Sequence, residues 1–320
     1  MMTNKREYGQ YFTMTNPFDI DVFYDWMELF IDDNTELLEP FAGSCNICDM
    51  IKDIGYNNNW VCYDIDPVSN DYNVEQRDTI ANFPEGFTAA ITNPPYLYKS
   101  SAKRRGIAFN SDKYDDLYKV SLDVMLNNLD YVAAIIPESF ITSGLFHNRL
   151  YAVVSLTCRM FSDTECPVCL ALFVPEEQDD FMVYRQNEFI GNYESIKDKL
   201  PISNSSVKWI MNDSNGSIGI RCIDNTKEAS IAFIRGDTID SDKIKSTSRS
   251  LTRVGGLPQN INLDDFIETC NEILEQYRHD TYDIFLTAFK GLREDGMYRR
   301  RLDYKTAKII MNMAVTILTK

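Results

Sequence analysis

Leu37-Leu38-Glu39-Pro40-Phe41-Ala42-Gly43-Ser44 is an apolar run that passes through an acid and a proline into small residues, and helical apolar spacing follows at once over 47–54. A strand, a small-residue turn and a helix in that order place backbone N–H groups at the carboxyl edge of a parallel sheet, where nucleotide-like ligands sit. Plain α/β domains also use Gly-Ser turns after strands, so this segment alone leaves both readings open. Outward from it the alternation continues. Residues 36–41, 60–65, 88–92, 131–136 and 166–174 read as strands, and 47–54 and 114–129 have helical spacing. Alternation of this kind predicts an α/β domain built on a mostly parallel sheet.

The charged stretch Glu176-Glu177-Gln178-Asp179-Asp180 closes that pattern, so the first domain is expected over 1–180 and a second region over 181–320. Residues 181–260 are rich in Asn, Ser, Asp and Gly, with strand-like pieces at 217–223 and 229–234. From Asn262, a good N-cap, the pattern turns helical over 263–278 and again over 304–318. Hydrophobic residues are 44% and charged residues 25% of the 320, which excludes a disordered or low-complexity chain. No run reaches the ~18 apolar residues of a membrane span, and the amino terminus is polar, so a cytoplasmic protein with no membrane partner is expected.

Lys and Arg total 32 against 48 Asp and Glu, a net charge of −16 that argues against a general nucleic-acid binder. The imbalance is uneven: residues 1–240 hold 19 basic and 37 acidic side chains, residues 241–320 hold 13 and 11. Any nucleic-acid contact is therefore expected to be local. The eight cysteines lie in or beside apolar stretches and read as reduced, buried thiols. Cys45-Asn-Ile-Cys48 and Cys166-Pro-Val-Cys169 have zinc-ligand spacing, but the pairs are far apart and Cys169 falls within a strand-like run, so no metal is expected.

Two further segments carry chemistry. The second strand ends in Tyr63-Asp64-Ile65-Asp66-Pro67, where an acid can accept hydrogen bonds from both ribose hydroxyls of an adenosine-containing cofactor, or sit as a carboxylate in a solvated turn. The strand over 88–92 delivers Asn93-Pro94-Pro95-Tyr96 at its end. Two prolines fix two φ angles and remove two N–H donors, which aims carbonyl oxygens rigidly. An Asn side-chain oxygen beside such a carbonyl offers two acceptors to one planar –NH₂ group, and Tyr96 can stack on the ring that carries it. Two acceptors pulling on its hydrogens favour the pyramidal geometry such a weakly nucleophilic nitrogen needs to attack a methyl donor. Catalysis then rests on positioning and preorganised dipoles.

With those residues in view, the chain resembles the S-adenosylmethionine-dependent DNA adenine-N6 methyltransferases of restriction-modification type, in which the cofactor motif precedes the catalytic motif and target recognition comes last. The resemblance covers the first ~175 residues, with four motifs in order and spacing. It implies a Rossmann-like class I methyltransferase sheet with helices on both faces, plus a smaller C-terminal recognition region, and S-adenosyl-L-methionine as cofactor. Glu7-Tyr8-Gly9-Gln10-Tyr11-Phe12-Thr13 resembles the amino-terminal motif over the methionine end, implying cofactor contacts from Tyr11, Phe12 and Thr13. Glu39, Pro40, Ala42 and Gly43 match the cofactor loop, Asp64 with Ile65 the ribose-binding strand end, and Asp78 the acid that meets the cofactor's adenine amino group. Asn93, Pro94, Pro95 and Tyr96 match the catalytic motif, Asn93 also lying beside the cofactor. A second base-stacking aromatic is implied at Phe161, with Phe140 and Phe146 as rivals. Cys45 stands where this family often has a further glycine.

An adenine in a duplex must be flipped out to be reached. Lys99, Lys103, Arg104 and Arg105, in a loop-like cluster after the catalytic motif, and Arg249 and Arg253 are the expected DNA contacts; Arg299-Arg300-Arg301 is a third basic cluster. Double-stranded DNA is the expected partner. The resemblance allows a cognate restriction endonuclease and a restriction-modification or phage self-protection role, and the mechanism needs no oligomer. Asn-Pro-Pro-Tyr chemistry serves a primary amide equally, so a protein glutamine N5-methyltransferase, which suits an acidic enzyme, is an alternative. An RNA adenine methyltransferase, cytosine-N4 methylation and a catalytically silent binding module are the others.

Overall fold

The computed structural model describes residues 16–68, 72–157, 160 and 165–320, which divide into two compact units between Asn192 and Tyr193. The first unit holds α1 (Asp21–Phe30), β1 (Leu37–Glu39), α2 (Asn46–Asp53), β2 (Trp60–Asp64), β3 (Glu75–Gln76), β4 (Ala89–Thr92), α3 (Lys99–Arg105), α4 (Leu117–Asn128), β5 (Tyr131–Pro137), β6 (Leu150–Ser155), β7 (Val168–Phe173), β8 (Met182–Arg185) and β9 (Glu188–Asn192). The nine strands form one sheet in the order β3-β2-β1-β4-β5-β7-β6-β8-β9. The first five run parallel; β7 inserts between β5 and β6, antiparallel to both.

Every residue of β1, β4 and β7 is buried, whichever face it points to. A strand buried on both sides needs cover on both faces of the sheet, which is why these segments read as continuous apolar runs. On α1, Val22, Phe23, Trp26 and Met27 form one buried stripe, and the Trp26 indole N–H donates to the Phe173 carbonyl of β7. The α/β class expected from the alternation is the class found, and the five expected strands and two expected helices lie within a few residues of their expected places.

Two expectations change. Residues 181–192 belong to the first sheet rather than to a second domain: β8 pairs parallel with β6, Val183 is fully buried, and the charged stretch before it is only a turn. The basic cluster after Tyr96, expected as a loop, is α3. No glycine or proline interrupts it until Gly106, whose φ of +69° lets its N–H turn back to the Ala102 and Lys103 carbonyls. Lys103, Arg104 and Arg105 occupy its last turn, where cations suit the helix dipole.

The second unit comprises α5 (Tyr193–Lys197), β10 (Ile210–Met211), β11 (Ile218–Arg221), β12 (Ala232–Arg235), β13 (Leu251–Gly255), α6 (Leu263–Asp280), β14 (Thr287–Leu292), β15 (Tyr298–Arg301) and α7 (Tyr304–Leu318). An antiparallel sheet, β10-β13-β11-β12, packs with α6 and α7 around Ile218, Phe233, Val254, Phe266, Leu274 and Met311. Asn262 caps α6 as its position predicts, accepting from the Asp264 and Asp265 amides; Asp303 caps α7 in the same way. Fully buried Asp224 is gripped by Arg278 at 2.9 and 3.0 Å and by Arg293 at 3.2 Å. The Ser230 and Arg300 amides also donate to it. Burial pushes this carboxyl up, but the Arg278 hydrogen bonds and charge outweigh it, and the carboxyl ends below its ordinary value. Among the described residues, no helix is long and apolar enough to cross a membrane.

Candidate functional site

In an open parallel sheet the strand order reverses where neighbouring crossovers leave in opposite directions, and the crevice beyond those strand ends takes the ligand. Here that point lies between β1, followed in the sheet by β2, and β4, followed by β5. A cavity of about 640 Å³ opens there, within the size range of small-molecule sites. Glu39, Ala42, Gly43, Asp64, Ile65, Asp78 and Asn93 all line it, so the structure brings together segments separated by more than fifty residues.

Glu39 ends β1 and is 1% exposed. Its Oε1 accepts from Thr92 Oγ1 at 2.5 Å and from the Phe41 amide at 3.1 Å, while Oε2 is buried with no hydrogen-bond partner among the described residues. Burial pushes its carboxyl up to about 8, the two hydrogen bonds offsetting only part of the cost, so Glu39 is largely protonated at neutral pH. The loop that follows is tied to the second strand: Asp64 Oδ2 accepts from the Gly43 amide at 2.8 Å and Oδ1 from the Asp66 amide at 2.9 Å. Gly43 has φ +52° and Cys45 φ +60°. The left-handed backbone at Cys45 gives a physical reason for glycine at that position. Asp78 is exposed at the cavity edge and accepts from the Ala81 amide, while the neighbouring Thr79 hydroxyl donates to the Pro40 carbonyl.

Asn93 and Pro95 line the cavity, and Pro94 is buried between them. Tyr96 is 8% exposed, and its hydroxyl lies 2.6 Å from both Asn93 Oδ1 and the Ile135 carbonyl oxygen of β5. One hydroxyl carries one proton, so the two acceptors share it. The Tyr96 ring meets Tyr118 of α4 edge to face and does not line the cavity. The segment after it is held by fully buried Asp116, whose Oδ1 accepts from the Leu97 amide at 2.9 Å, and burial pushes that carboxyl up to about 6.

Tyr11, Phe12, Thr13 and Phe161 lie outside the described residues. Phe140 is fully buried against Phe173 and His147, and Phe146 packs near Tyr114. Sequence reasoning missed the far wall: Phe109 and Asn110 follow α3, and Leu117 and Val120 are one helical turn apart on α4. The spacing of the last two was a readable signal; Phe109 and Asn110, in irregular chain, left none.

The basic residues divide. Lys103, Arg104 and Arg105 are exposed, whereas Lys99 pairs with Asp112 at 3.1 Å. In the second unit Arg249 is exposed with its guanidinium over the Tyr304 ring, but Arg253 is half-buried and donates to the Gly216 carbonyl at 3.0 Å. Arg299 donates to the Asp224 carbonyl and Arg300 is 2% exposed, so this third cluster is built into the unit's interior.

Neither a protein-family model nor a curated protein matches this sequence. Solved structures with partial likeness include a Listeria monocytogenes protein described as a candidate class I S-adenosylmethionine-dependent methyltransferase, at 10% identity and TM-score 0.36 over 52% of this chain and 64% of that one. A type I restriction-modification methyltransferase subunit from Streptococcus thermophilus matches at 12% identity and TM-score 0.35, over 56% of this chain and 49% of that one. A DrdV–DNA complex matches at 14% identity and TM-score 0.43, over 58% of this chain and 28% of that one. The chain thus spans less than two thirds of the length of each.

Proposed function

We propose that this chain is an S-adenosylmethionine-dependent DNA adenine-N6 methyltransferase. The observation that carries the reading is that the Asn93-Pro94-Pro95-Tyr96 segment leaves the end of β4 with Asn93 and Pro95 lining the same cavity as Glu39, Gly43, Asp64 and Asp78. The residues present fit the cofactor: an acid at the tip of β2, a glycine turn bound to it, and a buried Glu39 oxygen with no hydrogen-bond partner among the described residues. In this reading Asp64 takes the ribose hydroxyls, Ile65 and Asp78 the adenine, and the Glu39–Gly43 loop the amino-acid end, with Tyr11, Phe12 and Thr13 over it. When bound, S-adenosylmethionine supplies an electrophilic sulfonium methyl group.

The chain's own residues do the rest. Asn93 Oδ1 and the Pro94 carbonyl accept the two hydrogens of the target amino group and orient its lone pair, which requires no strong base. The Tyr96 hydroxyl fixes the Asn93 amide. Stacking of Tyr96 on an extruded adenine, opposite Phe161, requires its ring to be uncovered as the base enters. Lys103, Arg104, Arg105 and Arg249 supply phosphate contacts from exposed positions, and the second unit supplies target recognition.

The test is transfer of labelled methyl from S-adenosylmethionine to genomic DNA, with total RNA and cell protein as parallel substrates and Asn93→Ala as control. N6-methyladenine in DNA, lost in the variant while cofactor binding persists, is the expected result. Label in protein alone would replace this reading with glutamine N5 methylation, which the net charge of −16 suits.

A further inference from the structure

Cys45, Cys48 and Cys62 converge behind the loop that carries Gly43. Cys45 caps α2, Cys48 lies in its first turn and Cys62 is on β2; their exposures are 0, 0 and 2%. The three sulfurs all lie within 4.8 Å of one another, and Cys48 and Cys62 Sγ are 3.7 Å apart. For a metal–sulfur bond of ~2.3 Å, adjacent ligands of a tetrahedron stand ~3.8 Å apart, so this spacing is already that of a coordination edge. The cysteines paired by sequence spacing behave otherwise: Cys166 and Cys169 turn to the Pro167 and Pro137 carbonyls.

One further observation distinguishes the cluster from ordinary buried thiols. Cys45 holds a left-handed backbone, φ +60°, that costs a non-glycine residue roughly 1 kcal/mol or more. Glycine would remove that cost and also remove the thiol.

We propose that Cys45, Cys48 and Cys62 form a site for one thiophilic d10 cation of the zinc class, held by three thiolates. The site is separate from the methyl-transfer reading and does not depend on it. The hydrogen bond to Cys45 and burial raise the Cys48 and Cys62 thiols above their ordinary value. Coordination of a divalent ion by three thiolates displaces their three protons to solvent and leaves a complex of charge −1, so affinity climbs with pH. The cation would clamp the start of α2 to β2 beneath Gly43 and Ser44, which line the cavity.

Reduced, chelator-stripped protein is loaded with Zn(II), desalted, and assayed for retained metal. One equivalent per chain is expected for the wild type and for Cys222→Ser. Cys48→Ser and Cys62→Ser should each weaken binding by more than the ~100-fold that loss of an outer-shell partner costs. If either variant fails to fold, thiol alkylation of the folded wild type decides: Zn(II) should slow modification of Cys45, Cys48 and Cys62 together while leaving Cys166 unchanged. No retained metal, or equal retention with no selective protection, would overturn the site.

Discussion

Thr92 Oγ1 donates to Glu39 Oε1 at 2.5 Å, a hydrogen bond from the last residue of β4 to the last residue of β1. The loop expected to hold the cofactor and the segment expected to hold the target amino group therefore start from one bonded pair. Displacing either strand end moves both halves of the site, and the pair is buried where water cannot substitute for it.

Glu39 titrates from about 8 in the folded chain against an ordinary value of 4.5, because burial disfavours its charge. A raised folded value means the group's contribution to stability is complete below pH ~4.5 and is lost as pH rises through ~8. Urea unfolding at pH 5 and pH 9 should show the wild type losing ~2–4 kcal/mol more than Glu39→Gln across that window. Equal losses would mean Glu39 is ionised and solvated at neutral pH.

Tyr96→Phe keeps the ring and removes the hydroxyl that sits between Asn93 and Ile135. Loss of that hydroxyl's hold on the Asn93 amide should lower kcat by about tenfold, the equivalent of ~1.4 kcal/mol, with cofactor affinity unchanged. Single-turnover rates with saturating cofactor would check this; an unchanged rate would show that Asn93 is held by something else.

Lys103→Ala and Arg104→Ala together remove two exposed cations from the last turn of α3. If both meet phosphates, the slope of log affinity against log salt should fall by about 1.8, with preference among DNA sequences unaffected. A salt titration in which the slope stays put would return both residues to solvent.

Asp224→Ala leaves Arg278 and Arg293 facing an empty buried position and should destabilise the second unit by about 3–5 kcal/mol. Cofactor binding, assigned to the first unit, should survive. Calorimetry showing a single transition lowered for both functions alike would contradict that separation.

Much of the first unit was legible because its strands are buried on both faces and so stand out as unbroken apolar runs, as in residues 131–136. The exceptions follow the same physics. β6 is as apolar as its neighbours, yet nothing in its sequence states that it pairs beyond β7, and β8 follows a charged turn that reads as a linker. In the site, motif residues announced themselves through rigid or small neighbours, whereas Phe109 and Asn110 reach the cavity only through tertiary placement. Cys62 is the sharpest case: the CxxC spacing pointed Cys45 and Cys48 toward Cys166 and Cys169, but the first crossover returns β2 beside α2 and delivers Cys62 instead.

The insertion of β7 between β5 and β6 bears on how the chain is made. A ribosome releases β5 and β6 before the strand that must lie between them, so from the end of β6 at Ser155 to the start of β7 at Val168 two largely apolar strands wait with unpaired edges. Nascent chains arrested in that interval are the form most exposed to capture by one another, and synonymous changes that slow translation there should cost yield without altering a single residue.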